Sequence, residues 1–71
     1  MRYLVVIEET GTGVGAYVPD LPGCIAAAGT REEVKRLIHE AIEVHLDGLR
    51  QDGLPIPEAH SFPEVVEVSA G

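Results

Sequence analysis

Hydrophobic positions along this chain follow two patterns, short dense runs near its start and one long helical repeat in its middle. The run Tyr3–Ile7 is apolar throughout and rich in β-branched residues, which is typical of a strand covered on both faces. In Val14–Val18 the apolar side chains stand at every other position, and the flexible cluster Thr10–Gly13 separates the two runs. We therefore predict a β-hairpin from these segments.

A turn and a third strand are predicted next. Pro22 presets φ for the second position of a turn, and Gly23 can adopt the positive φ that a type II turn requires at the third position. Cys24–Ala28 then forms a short run of small and apolar residues. The first three strands are thus expected to form an antiparallel meander.

One long helix is predicted from Arg31 to about Asp52. Thr30 and Glu33 have the spacing of a capping box, in which the Thr30 hydroxyl accepts a hydrogen bond from the Glu33 amide. Gly53 can supply the left-handed cap at the other end, with Leu54 just beyond it. Apolar residues recur between these caps at helical spacing. They are Val34, Leu37, Ile38, Ala41, Ile42, Leu46 and Leu49.

The chain beyond the helix contains a proline-rich connector and a last β-branched cluster. Val65, Val66 and Val68 predict a fourth strand. The order β-β-β-α-β indicates an α+β fold, in which a three-stranded antiparallel meander and a fourth strand carry the long helix on one face. The other face of the sheet stays apolar and uncovered, which predicts a homodimer, a higher homo-oligomer or a bound partner.

Size and charge narrow the range of functions. With 71 residues the chain forms one domain, and its small core favours self-association. Twelve acidic residues stand against five basic ones, giving a net charge of −7. Because sequence-independent affinity for nucleic acid comes from clustered Lys and Arg, this balance argues against direct nucleic-acid binding and favours a basic protein partner.

Composition also indicates the compartment. Cys24 is the single cysteine and cannot form an internal disulfide, which favours a reducing interior. The opening apolar run is cut off by Glu8 and Glu9 before it reaches the length of a signal peptide or a membrane span. We expect a cytoplasmic protein without membrane attachment. Asn is absent and Gln and Met occur once each, a scarcity of thermolabile side chains that favours a thermophilic source.

Residues able to carry catalysis are poorly arranged in the sequence. His39 begins a segment similar to the zinc-protease pattern, but Glu43 stands where the second His is required. His45 falls on the apolar stripe and is predicted to be a core or interface histidine. Cys24 lacks a matching His and a nearby helix start, so we predict a small buried side chain. We assign no catalytic, metal-binding or cofactor-binding residue.

The outer face of the predicted helix carries Glu40, Glu43 and Asp47. One interpretation is a solvated surface, because surface charges are usually simply hydrated. The other is an acidic stripe that docks a basic partner. The candidate partner-binding residues are these three together with Asp20.

Three segments in order resemble the HicB-type antitoxin family. They are Ala16–Cys24 with its Pro-Asp-Leu-Pro-Gly-Cys core, Gly29–Glu33 at the helix start, and Gly53–Glu58 with its Gly-x-x-Ile-Pro connector. The resemblance implies a partial ribonuclease-H-like domain that lacks the nuclease carboxylates and acts by binding. It also implies a partner, a small basic HicA-type toxin that cleaves mRNA and whose active site the antitoxin blocks.

The resemblance leaves two alternatives open. One is a degenerate, magnesium-dependent hydrolase that uses Asp20 and Glu8, and the other is an oligomeric domain without a toxin partner. Many members of the family add a DNA-binding domain after the region matched here. Since three residues follow Val68, we expect residues 1–71 to form a single HicB-like domain without that addition.

Overall fold

The computed structural model describes residues 1–70 and contains three strands followed by one helix. The strands are β1 (Val6–Thr10), β2 (Gly13–Tyr17) and β3 (Ile25–Ala28), and the helix α1 is Arg31–Gln51. The strands form one antiparallel sheet in the order β1-β2-β3, and α1 packs against β2 and β3. The predicted α+β class, with an antiparallel meander and one long helix, is confirmed.

The hairpin of β1 and β2 begins later than the hydrophobic run predicts. Val6, the first residue of β1, pairs with Tyr17, the last residue of β2. Beyond Tyr17 the chain enters the turn at Pro19, so the sheet offers no partner to the residues before Val6. Residues 3–5 therefore extend past the end of β2 without strand pairing, although their side chains are half-buried.

Gly13 at the start of β2 lies close to the backbone of β3. A Cβ atom at this position would lie 2.8 Å from the carbonyl oxygen of Ala28, well inside the distance at which carbon and oxygen repel. Val14 pairs with Ala28 at the next position, so a side chain on Gly13 would push the two strands apart. Sheet packing therefore requires a glycine here, although its φ is not positive.

The predicted type II turn is confirmed at Leu21–Cys24. The Cys24 amide donates to the Leu21 carbonyl at 3.1 Å, and Gly23 has a φ of +84°. The turn folds Leu21 and Cys24 into the core, where both are buried. Cys24 is therefore the small buried side chain that the sequence predicts, and burial raises the pKa of its thiol.

Both ends of α1 carry the predicted caps. The Glu33 amide donates to Thr30 Oγ1 at 3.2 Å, which satisfies one of the free amides of the first turn. At the other end Gly53 has a φ of +69°, and the Leu54 amide donates to the Leu49 carbonyl at 2.9 Å. This is the hydrogen-bond pattern of a Schellman cap, and it ends the helix one residue before the predicted boundary.

The core fills the space between the sheet and the inner face of α1. Its buried apolar side chains are Ala16, Val18, Leu21, Cys24, Val34, Ile38 and Leu46. His45 lies on the same side of the helix and is half-buried. On the opposite face of the sheet, Tyr17 and Ile25 pair across β2 and β3, and both are exposed. The uncovered apolar face that the sequence predicts is therefore present in the single chain.

The predicted fourth strand is not formed. Within the described residues, the segment holding Val65, Val66 and Val68 pairs with no strand, and all three valines are exposed. The prediction rested on β-propensity, which measures how well a side chain fits a pleated, half-buried surface and does not supply a partner.

Candidate functional site

Three of the four predicted partner-binding residues share one face of α1. At about 100° per residue, Glu40, Glu43 and Asp47 lie within about 60° of one another around the helix. All three side chains are exposed. We call these three residues the acidic stripe. The stripe faces away from the side of the helix that packs on the core, where Ile38 is buried.

Two members of the acidic stripe have partners one helical turn away. Arg36 Nη1 donates to Glu40 Oε1 at 3.3 Å, and His39 Nδ1 lies 2.9 Å from Glu43 Oε1. All four side chains are mostly exposed, so solvent screens both pairs and each contributes little stability. The carboxylates are oriented along the helix but remain accessible to a charged partner.

Charge on α1 is unevenly distributed. The helix as a whole carries five acidic and four basic side chains, so most of the net charge of −7 lies elsewhere in the chain. The acidic side chains are Glu32, Glu33, Glu40, Glu43 and Asp47, and the basic ones are Arg31, Lys35, Arg36 and Arg50. Three of the bases precede the acidic stripe, and Arg50 follows it. The stripe is therefore a local acidic segment on a nearly neutral helix.

A shallow groove runs beside the C-terminal half of the acidic stripe. Its lining consists of Met1, Glu43, Val44, Leu46, Asp47 and Arg50. Met1 and Val44 are exposed, so apolar surface lies next to the carboxylates of Glu43 and Asp47. Such a surface suits a Lys or Arg side chain, whose aliphatic stem packs on apolar atoms while its charged head stays near the rim.

Asp20 does not join this surface. Its side chain is only 1% exposed, and its carboxylate binds the segment that follows the connector. The amides of His60 and Ser61 donate to Oδ2 at 3.0 and 2.9 Å, and the Ser61 hydroxyl donates to Oδ1 at 2.7 Å. His60 Nδ1 also lies 3.0 Å from Oδ1. We therefore remove Asp20 from the partner-binding set and call this cluster the Asp20 anchor.

Hydrogen bonding in the Asp20 anchor favours the ionised carboxylate. The backbone amide of Ser61 makes the largest contribution to lowering the pKa of Asp20 below its ordinary value of 3.8, and it outweighs the opposing effect of burial. The Ser61 hydroxyl, the His60 amide and the charge of His60 lower the pKa further. The anchor is thus complete at neutral pH, where the carboxylate can accept all of these bonds.

A second contact holds the connector, and it comes from Tyr3 near the N-terminus. The Tyr3 hydroxyl donates to the carbonyl of Pro57, and Ile56 packs against the core. Together with the Asp20 anchor, this contact fixes residues 56–61 along the body of the domain. Sequence reasoning missed both contacts, because each joins residues separated by 40 positions or more and neither leaves a local motif.

The candidates for catalysis remain separate in space. Among residues 1–70, no group of three or more His, Cys, Asp or Glu side chains is arranged to hold a metal ion. His39 is exposed, whereas His45 is half-buried on the inner side of α1. The hydrolase alternative needs Asp20 and Glu8 on one magnesium ion, but both oxygens of Asp20 already accept hydrogen bonds.

No helix in the described range is long and apolar enough to cross a membrane.

Comparison with known proteins assigns the family. A meander backed by one long helix, with a local acidic surface, first places the chain among small α+β domains. Residues 3–69 match the family model described as the HicB-like antitoxin of bacterial toxin-antitoxin systems. The chain belongs to the HicB-like antitoxin family, and the resemblance seen in its sequence motifs is confirmed.

Relatives of known structure and sequence support this assignment. A chain in the structure of a HicA3 and HicB3 toxin-antitoxin complex superimposes with a TM-score of 0.72 and 33% identity, covering 86% of this chain and 71% of that one. A UPF0150 protein of Helicobacter pylori is 45% identical over 49 residues, covering 69% of this chain and 68% of that protein. An uncharacterised 14.9 kDa protein of Haemophilus phage HP1 is 32% identical over 66 residues. This chain is 93% covered by that match but spans only half the length of the phage protein.

Proposed function

We propose that this antitoxin binds a small basic toxin of the HicA kind and occludes its active site, without catalysis of its own. The observation that carries the proposal is the structural match to a chain in the HicA3 and HicB3 complex, at a TM-score of 0.72 and 33% identity. The match extends over 86% of the chain, so the backbone of nearly the whole domain follows that of the matched chain.

Charge supports the same partner. A toxin that cleaves RNA needs basic side chains to hold phosphates, and a protein of net charge −7 complements such a surface. The antitoxin then competes directly with the RNA backbone for the same Lys and Arg side chains. In this proposal the complex forms in the cytoplasm, and the antitoxin itself contacts no nucleic acid.

The acidic stripe and the groove beside it are the proposed contact surface. Glu40, Glu43 and Asp47 supply accessible charge, and Val44 adds an exposed apolar side chain beside them. Interfaces of this kind gain specificity and association rate from the charges, while the apolar centre slows dissociation. We expect basic side chains of the toxin to lie against the groove.

Co-expression with the product of the neighbouring reading frame tests the proposal. We expect that product to be a small basic protein that stops growth when expressed alone, and growth to recover when this chain is expressed with it. The two proteins are expected to purify together. If the neighbouring product is inert, or if growth recovers without any complex between the two proteins, the proposal is wrong.

A separate assay tests the absence of catalysis. Purified chain incubated with RNA and magnesium is expected to leave the RNA intact. Cleavage that disappears in the Asp20→Ala variant would instead support the hydrolase alternative.

A further inference from the structure

The groove beside the acidic stripe has one wall that does not belong to the helix. Its lining residues on α1 are Glu43, Val44, Leu46, Asp47 and Arg50, and the remaining one is Met1. The helix fixes the position of its own side chains. Met1 lies well before the first strand, which begins at Val6, and the first residues of a chain are poorly ordered unless something holds them. The shape of the groove therefore depends on what holds the start of the chain.

Tyr3 holds the start of the chain. Its side chain is half-buried and packs against the core, and its hydroxyl donates to the carbonyl of Pro57. Two residues of extended chain span at most about 7 Å, so a fixed Tyr3 keeps Met1 close by. Whatever fixes the Pro57 carbonyl therefore also limits where Met1 can lie.

The Pro57 carbonyl belongs to residues 56–61, here called the strap, which is held at both ends. Ile56 packs against the core at its start. At its end the Asp20 carboxylate accepts hydrogen bonds from the amide and the hydroxyl of Ser61. Asp20 is buried, and an ionised carboxylate that lost these donors would be left uncompensated in the interior, which is costly. The strap therefore presents its carbonyl at a fixed place.

We propose that the strap sets the shape of the groove, and that Tyr3 is the positioning residue between them. With the strap in place, Tyr3 keeps Met1 beside the helix as the second wall of the groove. With the strap released, Tyr3 loses its partner and the groove keeps only its helical wall. The inference rests on the proposed function, since the groove is part of the surface proposed to receive the toxin. It makes capture of the toxin depend on Asp20, which lies outside that surface.

The chemistry of Met1 suits this wall. Methionine has an unbranched, flexible thioether side chain that adapts to the shape of a bound group. Together with Val44 it can enclose the aliphatic stem of a Lys or Arg side chain, whose charged head then reaches the carboxylates of Glu43 and Asp47. A groove with one wall leaves one side of that stem in water. We therefore expect Met1 to add affinity without adding charge.

A single methyl signal gives the first test. Met1 is the one methionine of the chain, so methionine labelled with ¹³C at its methyl group gives one signal. In the wild type we expect nuclear Overhauser contacts from this methyl group to Val44 and Leu46. Tyr3→Phe removes only the hydroxyl and is expected to weaken these contacts. Asp20→Asn is expected to weaken them as well, because it loosens the far end of the strap.

Tyr17→Phe is the matched control, since it makes the same change at the other tyrosine of the chain. Tyr17 is exposed and pairs with Ile25 on the face of the sheet opposite the core. This variant is expected to leave the Met1 contacts unchanged. Urea unfolding of all variants identifies any general loss of stability. If Tyr3 had a merely structural role, its variant would lose stability and keep the Met1 contacts.

Capture of the toxin gives the second test, with the product of the neighbouring reading frame as the toxin. Calorimetric titration is expected to show about fivefold weaker binding for Tyr3→Phe, the size of one hydrogen bond between neutral groups. Because the lost contact is apolar, this loss is expected to be the same at low and at high salt, unlike a loss of exposed charge. Tyr17→Phe is expected to bind like the wild type.

The two tests fail separately. Met1 contacts that survive in Tyr3→Phe, or that Tyr3→Phe and Tyr17→Phe weaken equally, would overturn the proposal whatever the toxin does. Lost Met1 contacts with unchanged toxin affinity would overturn the link between the strap and capture, and would leave the proposed function standing. If the wild type binds no toxin, the proposed function fails, and the Met1 signal still decides whether the strap shapes the groove.

Discussion

Asp20 and Ser61 are 41 positions apart in the chain, and Ser61 donates to both oxygens of the Asp20 carboxylate, through its hydroxyl at 2.7 Å and through its amide at 2.9 Å. A single buried side chain after β2 thereby fixes the backbone at Ser61. An ionised carboxylate can only accept hydrogen bonds, and both of these Ser61 groups donate them.

Replacing Asp20 with Asn tests the strength of this anchor. The amide of Asn keeps the shape of the carboxylate but offers one accepting oxygen and no charge. We expect the His60 and Ser61 amides to exchange with solvent about tenfold faster, since hydrogen bonds to a charged group are the stronger ones. Hydrogen exchange followed by NMR measures this rate. Asp52→Asn, at an exposed carboxylate, is expected to leave both amides unchanged.

Acid is expected to release the anchor without any mutation. The folded-state pKa of Asp20 lies below its ordinary value of 3.8, so the stabilisation is present above 3.8 and is lost as the pH falls through the lowered pKa. Chemical shifts of the Ser61 amide, followed from pH 7 downwards, are expected to change at that lowered pKa. The same shift in Asp20→Asn is expected to lack this transition. Because His60 also contacts the carboxylate, only a transition that is lost in Asp20→Asn belongs to Asp20, and such a transition centred above 3.8 would contradict the assigned hydrogen bonds.

Gly13→Ala is expected to destabilise the sheet. The new Cβ would meet the Ala28 carbonyl oxygen at 2.8 Å, and overpacking of this kind costs about 1–3 kcal/mol. Gly11→Ala is the control, because nothing lies within 4 Å of a Cβ there and its φ is not positive. Urea unfolding gives the free energy of unfolding for both variants. Equal stability of the two variants would show that β2 and β3 can separate without cost.

Charge reversal tests the acidic stripe. Glu40, Glu43 and Asp47 changed together to Lys are expected to weaken toxin capture, and to do so more at low salt than at high salt, because ions screen exposed charges. A control variant with Glu8, Glu32 and Asp52 changed to Lys alters the net charge equally at exposed positions elsewhere. Calorimetric titration with the toxin measures both affinities. Equal losses in the two variants would mean that overall charge, and not the stripe, attracts the partner.

Features set by neighbouring residues could be predicted from the sequence. The type II turn needed only Pro22 and Gly23, and the helix ends needed Thr30 and Gly53, each acting on backbone within a few residues. Helical spacing likewise brought the residues of the acidic stripe to one face. In all of these cases the interacting groups are close in sequence, so their types and spacing determine the geometry.

Features set by distant partners could not be predicted. The position of Asp20 in a proline-rich turn predicts a turn residue or a surface acid. Its hydrogen bond with Ser61 exists only in the folded chain, which brings the two residues together. The start of β1 depended on where β2 ends, which is a question of register. Val65 and Val66 have the propensity of a strand, but propensity does not reveal whether a sheet edge is available.

Burial of Cys24 has a practical consequence for every experiment that needs a chemical label. Its thiol is shielded in the core and its pKa is raised, so the reactive thiolate is scarce at neutral pH. A second cysteine introduced at an exposed position would react first with maleimide or iodoacetamide reagents. Fluorophores, spin labels and cross-linkers can therefore be attached at a chosen site while the native cysteine stays in place and the core stays intact.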